Sequence, residues 1–548
     1  MRAKHAKNDT KVIKRDAVSV KNLKNQYGFV SPSLTLLLHT PRGASAKAVL
    51  WITWPQKACQ TAPKMCFPEN ENATYVKNSS RPACRQAGSK FQVPSLVPGF
   101  HPDCRPVVNG GLTGGPAQDT RCRLDEYERA TRKGLDMNVQ EIEAKVFGTP
   151  VPQVKRVALA YSGGLDSSLC IELLRRVYKV KDSGIIPITI DVGQGADEVE
   201  TSKAKAKQLG IKAILIDLKK EFTENWLTKA IRANSDYEGY PVSTSMTRQL
   251  VARAVALKAV ELGCDGLMEG STGKGNDQYR MHNTFKIFAP ACAVLCPVRD
   301  FDMLRAEERA LCEAWGVPVD EQIEGGDDKT MWCRSIASGA IGLDQELPDD
   351  IWMWLVPPQK APDKVEEVTI TFDQGIPTKL GGKKMPLDKL IGDLNVIAGA
   401  SGVGRIDIFE DGIMDLKSRE IYEAPAAHVI LRLHRDLEQW CLTKDELEFK
   451  AIVDRKWAYL VYHGMWYHPL KGELDAFIAT ASRFMSGTYR VGLYKGNIEI
   501  LKRESSTGLF SPEIRSIKAK GFSQRMAKDA AVIRGLPFEI LAKRGGIE

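Results

Sequence analysis

Val157-Ala158-Leu159-Ala160-Tyr161-Ser162-Gly163-Gly164-Leu165-Asp166-Ser167-Ser168 is the stretch that decides the fold. An apolar run breaks into a loop of small residues, after which Leu169, Ile171, Leu173, Leu174 and Val177 recur as one helix face. The run predicts a buried strand over 156–161, and the recurrence predicts an amphipathic helix over 166–178. Two glycines let the backbone turn sharply and approach a ligand with no Cβ in the way. The serines and the helix N-terminus offer hydroxyl and N–H donors to an anion. The stretch therefore suits the phosphates of a nucleotide. It contains neither G-x-x-x-x-G-K-[ST] nor G-x-G-x-x-G, so neither the Walker nor the dinucleotide fingerprint applies. A bare S-G-G is an ordinary turn; the strand before it, Asp166, Ser167 and Ser168 after it, and the helix beyond set this one apart.

Outward from this stretch the text alternates. Strands are expected at 185–192, 213–218 and 265–269, and helices at 196–209 and 244–262. Apolar strands alternating with amphipathic helices predict an α/β fold with a parallel sheet covered on both faces, whose ligands sit beyond the carboxyl ends of the strands. After about residue 320 the character changes. Pro348, Pro357, Pro358 and Pro362 mark a loop-rich connection, and the alternation from Val365 to Phe372 predicts a strand. Helices near 387–400 and 470–485 and strands near 404–409 and 491–501 complete a second α+β domain. The tail from Phe522, helical over 523–533, is expected to serve as an arm for self-association. The resulting division is 1–136, 137–320, 321–520 and 521–548.

A chain of 548 residues calls for two or three domains, and 43% hydrophobic with 26% charged residues describes an ordinary globular composition. No run of about 20 apolar residues marks a membrane span. The formal charge of +9 suggests nucleic acid until its distribution is counted: residues 1–136 hold 22 Lys/Arg and 10 Asp/Glu, the remainder 55 and 58. The basic excess belongs to the N-terminal segment, and no nucleic-acid-binding surface is expected on the body. Residues 1–136 lack a sustained period and are broken by Pro, Gly, Asn and Ser, so they are expected to be disordered. Met137 is read as the natural start, which an intact mass of the native protein checks. The 12 cysteines show no C-x-x-C spacing; Cys292 and Cys296 are expected to be core thiols, and no protein metal site is expected. Asn72-Ala73-Thr74 and Asn78-Ser79-Ser80 match the glycosylation pattern with no secretion signal before them, and are read as chance.

A second motif follows the strand at 265–269: Gly270-Ser271-Thr272-Gly273-Lys274-Gly275-Asn276-Asp277-Gln278-Tyr279-Arg280. Three glycines permit close approach, Lys274 offers a point charge for phosphate, and Thr272, Asn276, Asp277 and Arg280 crowd donors, an acceptor and a fork into one loop. Such density of polar groups is costly unless a ligand or water satisfies it. The first motif resembles the PP-loop of ATP pyrophosphatases, SGGxDS. Together with G-x-T-x-K-G-N-D-x-x-R, it makes the chain similar to the argininosuccinate synthase family over about residues 155–520. Tyr240-Pro241-Val242-Ser243-Thr244-Ser245-x-x-Arg248 resembles that family's Y-x-x-x-T-S-x-x-R. Gly404 to Glu410, Lys417 to Tyr422 and Trp332-Cys333-Arg334-Ser335 resemble its GRIDI-x-E, KSR-x-IY and W-G-R-S stretches.

The resemblance implies a cytoplasmic ligase, usually a homotetramer, in which ATP activates the ureido oxygen of citrulline and aspartate then displaces AMP. It implies an ATP site at Ala160, Tyr161, Ser162, Gly163, Gly164, Leu165, Asp166, Ser167, Ser168, Ile190 and Gly270, with Mg²⁺ on the phosphates. Aspartate is expected at Thr244, Thr272, Asn276 and Asp277. Citrulline is expected at Tyr240, Ser245, Asn276, Arg280, Ser335, Glu410 and Tyr422, in a cleft between domains. Asp166, Lys274 and Arg280 are the residues expected to carry catalysis. The chain departs from the family pattern at Ser167 (Thr), Glu269 (His) and Met281 (Phe), and over 326–331, where a citrulline-contacting serine is missing. The alternatives are an adenylating ligase with another acceptor and a silent ATP-binding homologue.

Overall fold

Five short strands pair in parallel in the order Ile214–Asp217, Ile185–Asp191, Val157–Ala160, Gly266–Met268, Ala293–Leu295. The computed structural model describes residues 138–318, 327–336, 343, 346–518 and 520–545. The expected disorder of 1–136, the start at Met137 and the two Asn sites lie outside the described residues. Val157, Ala158 and Leu159 are wholly buried, which is why a continuous apolar run rather than an alternation specifies this strand. Its side chains still divide with a period of two. Val157 and Leu159 pack with Leu169 and Leu173 of the helix Leu165–Arg176 and with Leu311 of the helix Arg305–Trp315. Ala158 faces the other way, toward Leu250 and Val255 of the helix Thr244–Glu261.

The second half is antiparallel. One sheet runs Lys383–Lys384, Ile376–Leu380, Glu366–Asp373, Gly487–Tyr494, Asn497–Glu504; another runs Arg405–Asp411, Lys417–Glu423, Arg334–Ile336, Asp327–Lys329. The single strand expected at 491–501 is instead a hairpin. Lys495 and Gly496 both take positive φ (46° and 87°), the two-residue turn that matches the twist of its strands. The helix expected at 470–485 is Pro469–Ala481 followed by a 3₁₀ turn at Ser482–Phe484. The tail helix is longer than expected, Met526–Lys543, with no buried residue.

Two long helices, Pro425–Cys441 and Lys444–Tyr462, were not anticipated. The second has a start signal in the sequence: Thr443 accepts from Glu446 N–H at 3.3 Å while the Glu446 carboxylate accepts from Thr443 N–H at 2.8 Å, a capping box. Both helices bury Leu433, Leu437, Trp457 and Val461 in the same apolar cluster as Ala158 and Leu250. The parallel sheet and the later helices therefore share one core. Among the described residues no helix is long and apolar enough to cross a membrane.

One ion pair is sealed inside this second half. Arg334 and Glu423 are fully buried, 2.5 Å apart. Arg334 also donates to the Ile351 carbonyl at 2.9 Å, and Glu423 accepts from the N–H groups of Met353, Trp354 and Leu355. Removing one partner leaves a buried charge uncompensated. Glu423→Ala is expected to cost about 3–5 kcal/mol in urea unfolding. Asp407→Ala, which breaks the more exposed pair with Arg419, should cost under about 1 kcal/mol.

Candidate active site

The strand Val157–Ala160 delivers the chain into a loop that only glycine can make. Gly163 sits at φ +79°, and a Cβ there would lie 2.7 Å from Ser202 Cα of the helix Ala196–Gln208. The same helix sends Lys205 to the Gly163 carbonyl at 2.9 Å. Gly164 caps the helix Leu165–Arg176 with no side-chain bond. The serines bind the loop to itself: Gly163 N–H donates to Ser167 Oγ at 3.1 Å, Gly164 N–H to Ser162 Oγ at 3.2 Å, and the two hydroxyls lie 3.1 Å apart. Behind them Thr189 donates to the Tyr161 carbonyl at 3.0 Å, and the Tyr161 and Ser168 hydroxyls lie 3.5 Å apart. Ala160 is half-buried at the strand end, Leu165 is buried below the loop, and Ile190 is buried in the neighbouring strand. The result is a helix N-terminus ringed by hydroxyls, which attracts anions.

The second loop touches the first. It leaves the adjacent strand Gly266–Met268, and a Cβ on Gly270 would lie 3.0 Å from Asp166 Cβ and 3.3 Å from Ser167 N. Strand order reverses between these two strands, which is where open α/β sheets bind ligands. Gln278 holds the loop by donating to the Gly273 and Gly275 carbonyls at 2.6 and 3.2 Å. Lys274 stands exposed at the tip, with Ser271 and Thr272 half-buried beside it. Glu269 does not project toward the loop as a free charge. It is buried, accepts from Ser271 N–H at 2.8 Å, and burial pushes its carboxyl above the ordinary range.

Two residues that no motif marked lie against Asp166. Arg305 forms an ion pair with it, and Glu308 of the same helix lies buried nearby. Burial and the neighbouring Asp166 charge push the Glu308 carboxyl up to about 9. Their helix lies far along the chain from the first loop, so no local spacing could have linked them.

A second cluster forms where the later helices and strands meet the helix Asp277–Phe288. Asp277 accepts from Arg248 at 2.7 Å and from Arg280 at 2.9 Å, and Arg248 reaches Asp328 at 2.5 Å. Burial alone would raise Asp277, but the two guanidiniums hold it below the usual carboxylate range. Arg280 is 4% exposed. Its Nε donates to the Tyr462 carbonyl at 2.9 Å, and its guanidinium lies 4.7 Å from the Tyr462 ring centroid. The Tyr240 and Tyr422 rings stack at 4.2 Å, and Tyr422 donates to Glu410 at 2.9 Å. Glu410 is buried; desolvation pushes its carboxyl up to about 7 against the phenols that bond it. Ser335 is paired in register with Tyr422. Ser245 is buried with its hydroxyl unpartnered, and Thr244, its half-buried neighbour, begins the helix Thr244–Glu261.

The structure thus gathers Asn276, Asp277, Arg280, Tyr240, Glu410 and Tyr422 through direct contacts or one shared neighbour. That neighbour, Tyr462, was missed: it ends a helix that the sequence reading did not assign. Of the segment 326–331, Gly326 lies outside the described residues. Thr330 anchors the rest, lying 2.9 Å from the Ser243 hydroxyl and accepting from the N–H groups of Trp332 and Cys333. Among the described residues no group of three or more His, Cys, Asp or Glu is placed to hold a metal ion. A cavity of about 400 Å³ lined by Glu346, Asp349, Lys360, Arg405, Asp407 and Arg419 contains none of these residues. Proximity of matched chemistry, not cavity size, marks the site.

Two family models match consecutive parts of the chain: the arginosuccinate synthase N-terminal HUP domain over residues 156–318 and the arginosuccinate synthase C-terminal domain over residues 327–541. The argininosuccinate synthase of Methanopyrus kandleri is 41% identical over 397 residues, covering 72% of this chain and all of that one. That of Methanococcus maripaludis is 41% identical over 388 residues, covering 70% and 97%. That of Pyrococcus furiosus is 41% identical over 385 residues, covering 70% and 93%.

Gly163 and Gly263 both hold positive φ, but a Cβ on Gly263 meets nothing within 4 Å. Each alanine substitution should cost about 1–2 kcal/mol for the left-handed backbone. Gly163→Ala should cost more, because the helix at Ser202 must move; urea denaturation of the two variants measures the difference.

Proposed function

Because the chain belongs to the argininosuccinate synthase family, we propose that it joins citrulline to aspartate, converting ATP to AMP and pyrophosphate. The observation that carries this reading is the seating of Gly270 on the turn that Asp166 and Ser167 begin. A triphosphate laid on that helix N-terminus meets Lys274 from the other loop. Magnesium fits as a passenger on the phosphates, with Asp166 as the carboxylate at the loop and no protein cage required. When bound it neutralises charge on the departing pyrophosphate.

The amino-acid cluster divides by charge. Arg280 uses Nε and one terminal nitrogen on Tyr462 and Asp277, which leaves its other terminal nitrogen for the citrulline carboxylate. Glu410 takes the citrulline α-ammonium, and the buried Ser245 hydroxyl gains a partner from the substrate. Thr244, Thr272, Asn276 and Asp277 take aspartate, with Asp277 toward its ammonium and Arg248 holding Asp277 in place. The ureido oxygen attacks the α-phosphorus, the bond to the β-phosphate oxygen breaks, and pyrophosphate leaves. The aspartate amine, having lost a proton to water, then attacks the ureido carbon, and AMP departs with the bonding pair. Alignment supplies most of the acceleration, and fixed donors facing the phosphoryl oxygens supply much of the rest.

We further propose that the enzyme is a cytoplasmic homotetramer, as the family resemblance implies. The exposed Ile533, Leu536, Phe538 and Ile540 of the C-terminal helix support self-association, which light scattering of the purified protein tests.

ATP–pyrophosphate exchange is expected with citrulline alone, and net AMP formation only when aspartate is added. AMP formation indifferent to citrulline, or ATP binding with no turnover, overturns the reading. Arg280→Ala should lower kcat/KM for citrulline by at least about 100-fold, the loss of a buried charged partner. Glu410 must be ionised to hold an ammonium, and its pKa is raised to about 7. Activity at limiting citrulline should therefore fall as pH drops through about 7, well above the ordinary carboxylate range; a pH profile of kcat/KM measures it.

A further inference from the structure

Tyr462 ends the helix Lys444–Tyr462 with its ring stacked on Tyr237, centroids 3.7 Å apart and planes 9° from parallel. Its hydroxyl lies between the two groups assigned to different substrates. Asn276 Nδ2 is 2.9 Å away on one side, and a Glu410 carboxylate oxygen is hydrogen-bonded on the other. The direction of each bond follows by elimination. Ile413 N–H donates to Asn276 Oδ1 at 2.8 Å, so the amide atom facing Tyr462 is the nitrogen, which only donates. The phenolic oxygen therefore accepts from Asn276, and its one proton goes to Glu410. The second phenol, Tyr422, donates to the other Glu410 oxygen.

We infer that Tyr462 is a positioning residue shared by both amino-acid sites: it holds Glu410 as the carboxylate that an α-ammonium needs and ties it to the Asn276 amide. The inference rests on the assignment of Glu410 to citrulline and of Asn276 to both substrates. Glu410 is an acid that the protein interior would otherwise neutralise. Burial raises it, the Glu420 charge adds to the rise, and Tyr462, Tyr422 and Arg280 oppose them. These groups, with Tyr240 above the Tyr422 ring and Tyr237 beneath Tyr462, are the titratable and charged neighbours that face it from each packed element. Of the two phenols, Tyr462 alone also reaches the aspartate side. A donor lost at this point weakens the charged form of Glu410 and frees one hydrogen of Asn276. A purely structural tyrosine would do neither, because the stack on Tyr237 and the contact with Arg280 need only the ring.

The test is steady-state kinetics of Tyr462→Phe across pH, with Tyr237→Phe as a control that keeps the ring stack and the hydrogen bonds to Glu410 and loses only the bond to the Asp411 carbonyl. Tyr462→Phe should raise KM for citrulline about tenfold at pH 7, a change of 1.4 kcal/mol. Its acid limb should move up by about one pH unit. KM for aspartate should rise about threefold through Asn276, while kcat and KM for ATP hold. 3-Fluorotyrosine at position 462, a stronger donor of wild-type shape, should move the limb down, and it serves if the phenylalanine variant fails to fold. A citrulline KM and acid limb unchanged by both replacements overturn the inference. Wild type run alongside separates the two readings. No citrulline-dependent exchange in wild type overturns the ligase assignment itself, whereas normal wild-type exchange with superimposable variant profiles overturns only the role of Tyr462.

Discussion

Gly270 rests against Asp166 and the Ser167 N–H because it carries no side chain: a Cβ there would lie 3.0 Å from Asp166 Cβ and 3.3 Å from Ser167 N. The rest of the site depends on that contact. Two loops far apart in the chain become one surface when their parent strands pair directly and in parallel, so that both loops leave the sheet at the same end. The reversal of strand order between Val157–Ala160 and Gly266–Met268 opens the crevice above them. A Cβ at Gly270 would crowd Asp166 and Ser167 and force one loop to give where it walls the helix N-terminus.

The amino-acid cluster answers a different constraint, the cost of burying charge. Asp277 lies between two guanidiniums, and Arg280 lies between a carboxylate and the ring and carbonyl of Tyr462. Glu410 receives two phenolic protons. Each ionised group has at least one partner from another element, Arg248 for Asp277 and Tyr462 for Arg280 and Glu410, so the charges tie those elements together. That core is shared: Ala158 of the parallel sheet and Trp457 of the late helix belong to one cluster. The cluster of charges thus sits on a rigid support rather than on loops alone.

Much of this was legible in the residues. The apolar run before Ser162 and the glycines after it specify a strand, a tight turn and a helix by rules of local geometry, and the alternation that follows specifies a parallel sheet. Elsewhere a local signal is weaker than the pattern around it. Val491 to Leu501 reads as one strand because both arms of a hairpin share its apolar character, and only the positive φ at Lys495 and Gly496 divides them. Of the helices Pro425–Cys441 and Lys444–Tyr462, only the second opens on a capping box, and Tyr462 lies at its far end.

The sequence by itself determined the kind of chemistry, because glycines, hydroxyls and a lysine at fixed spacing in a loop keep their meaning wherever the loop lies. Only the tertiary structure decided which distant groups complete it. Arg305 on Asp166, Arg248 on Asp277 and Tyr462 between Asn276 and Glu410 join residues with no fixed separation along the chain. Contacts of that kind are set by which helices pack on which strands. Side-chain identity can be read one residue at a time, whereas the protonation and orientation of a buried acid are properties of everything that surrounds it.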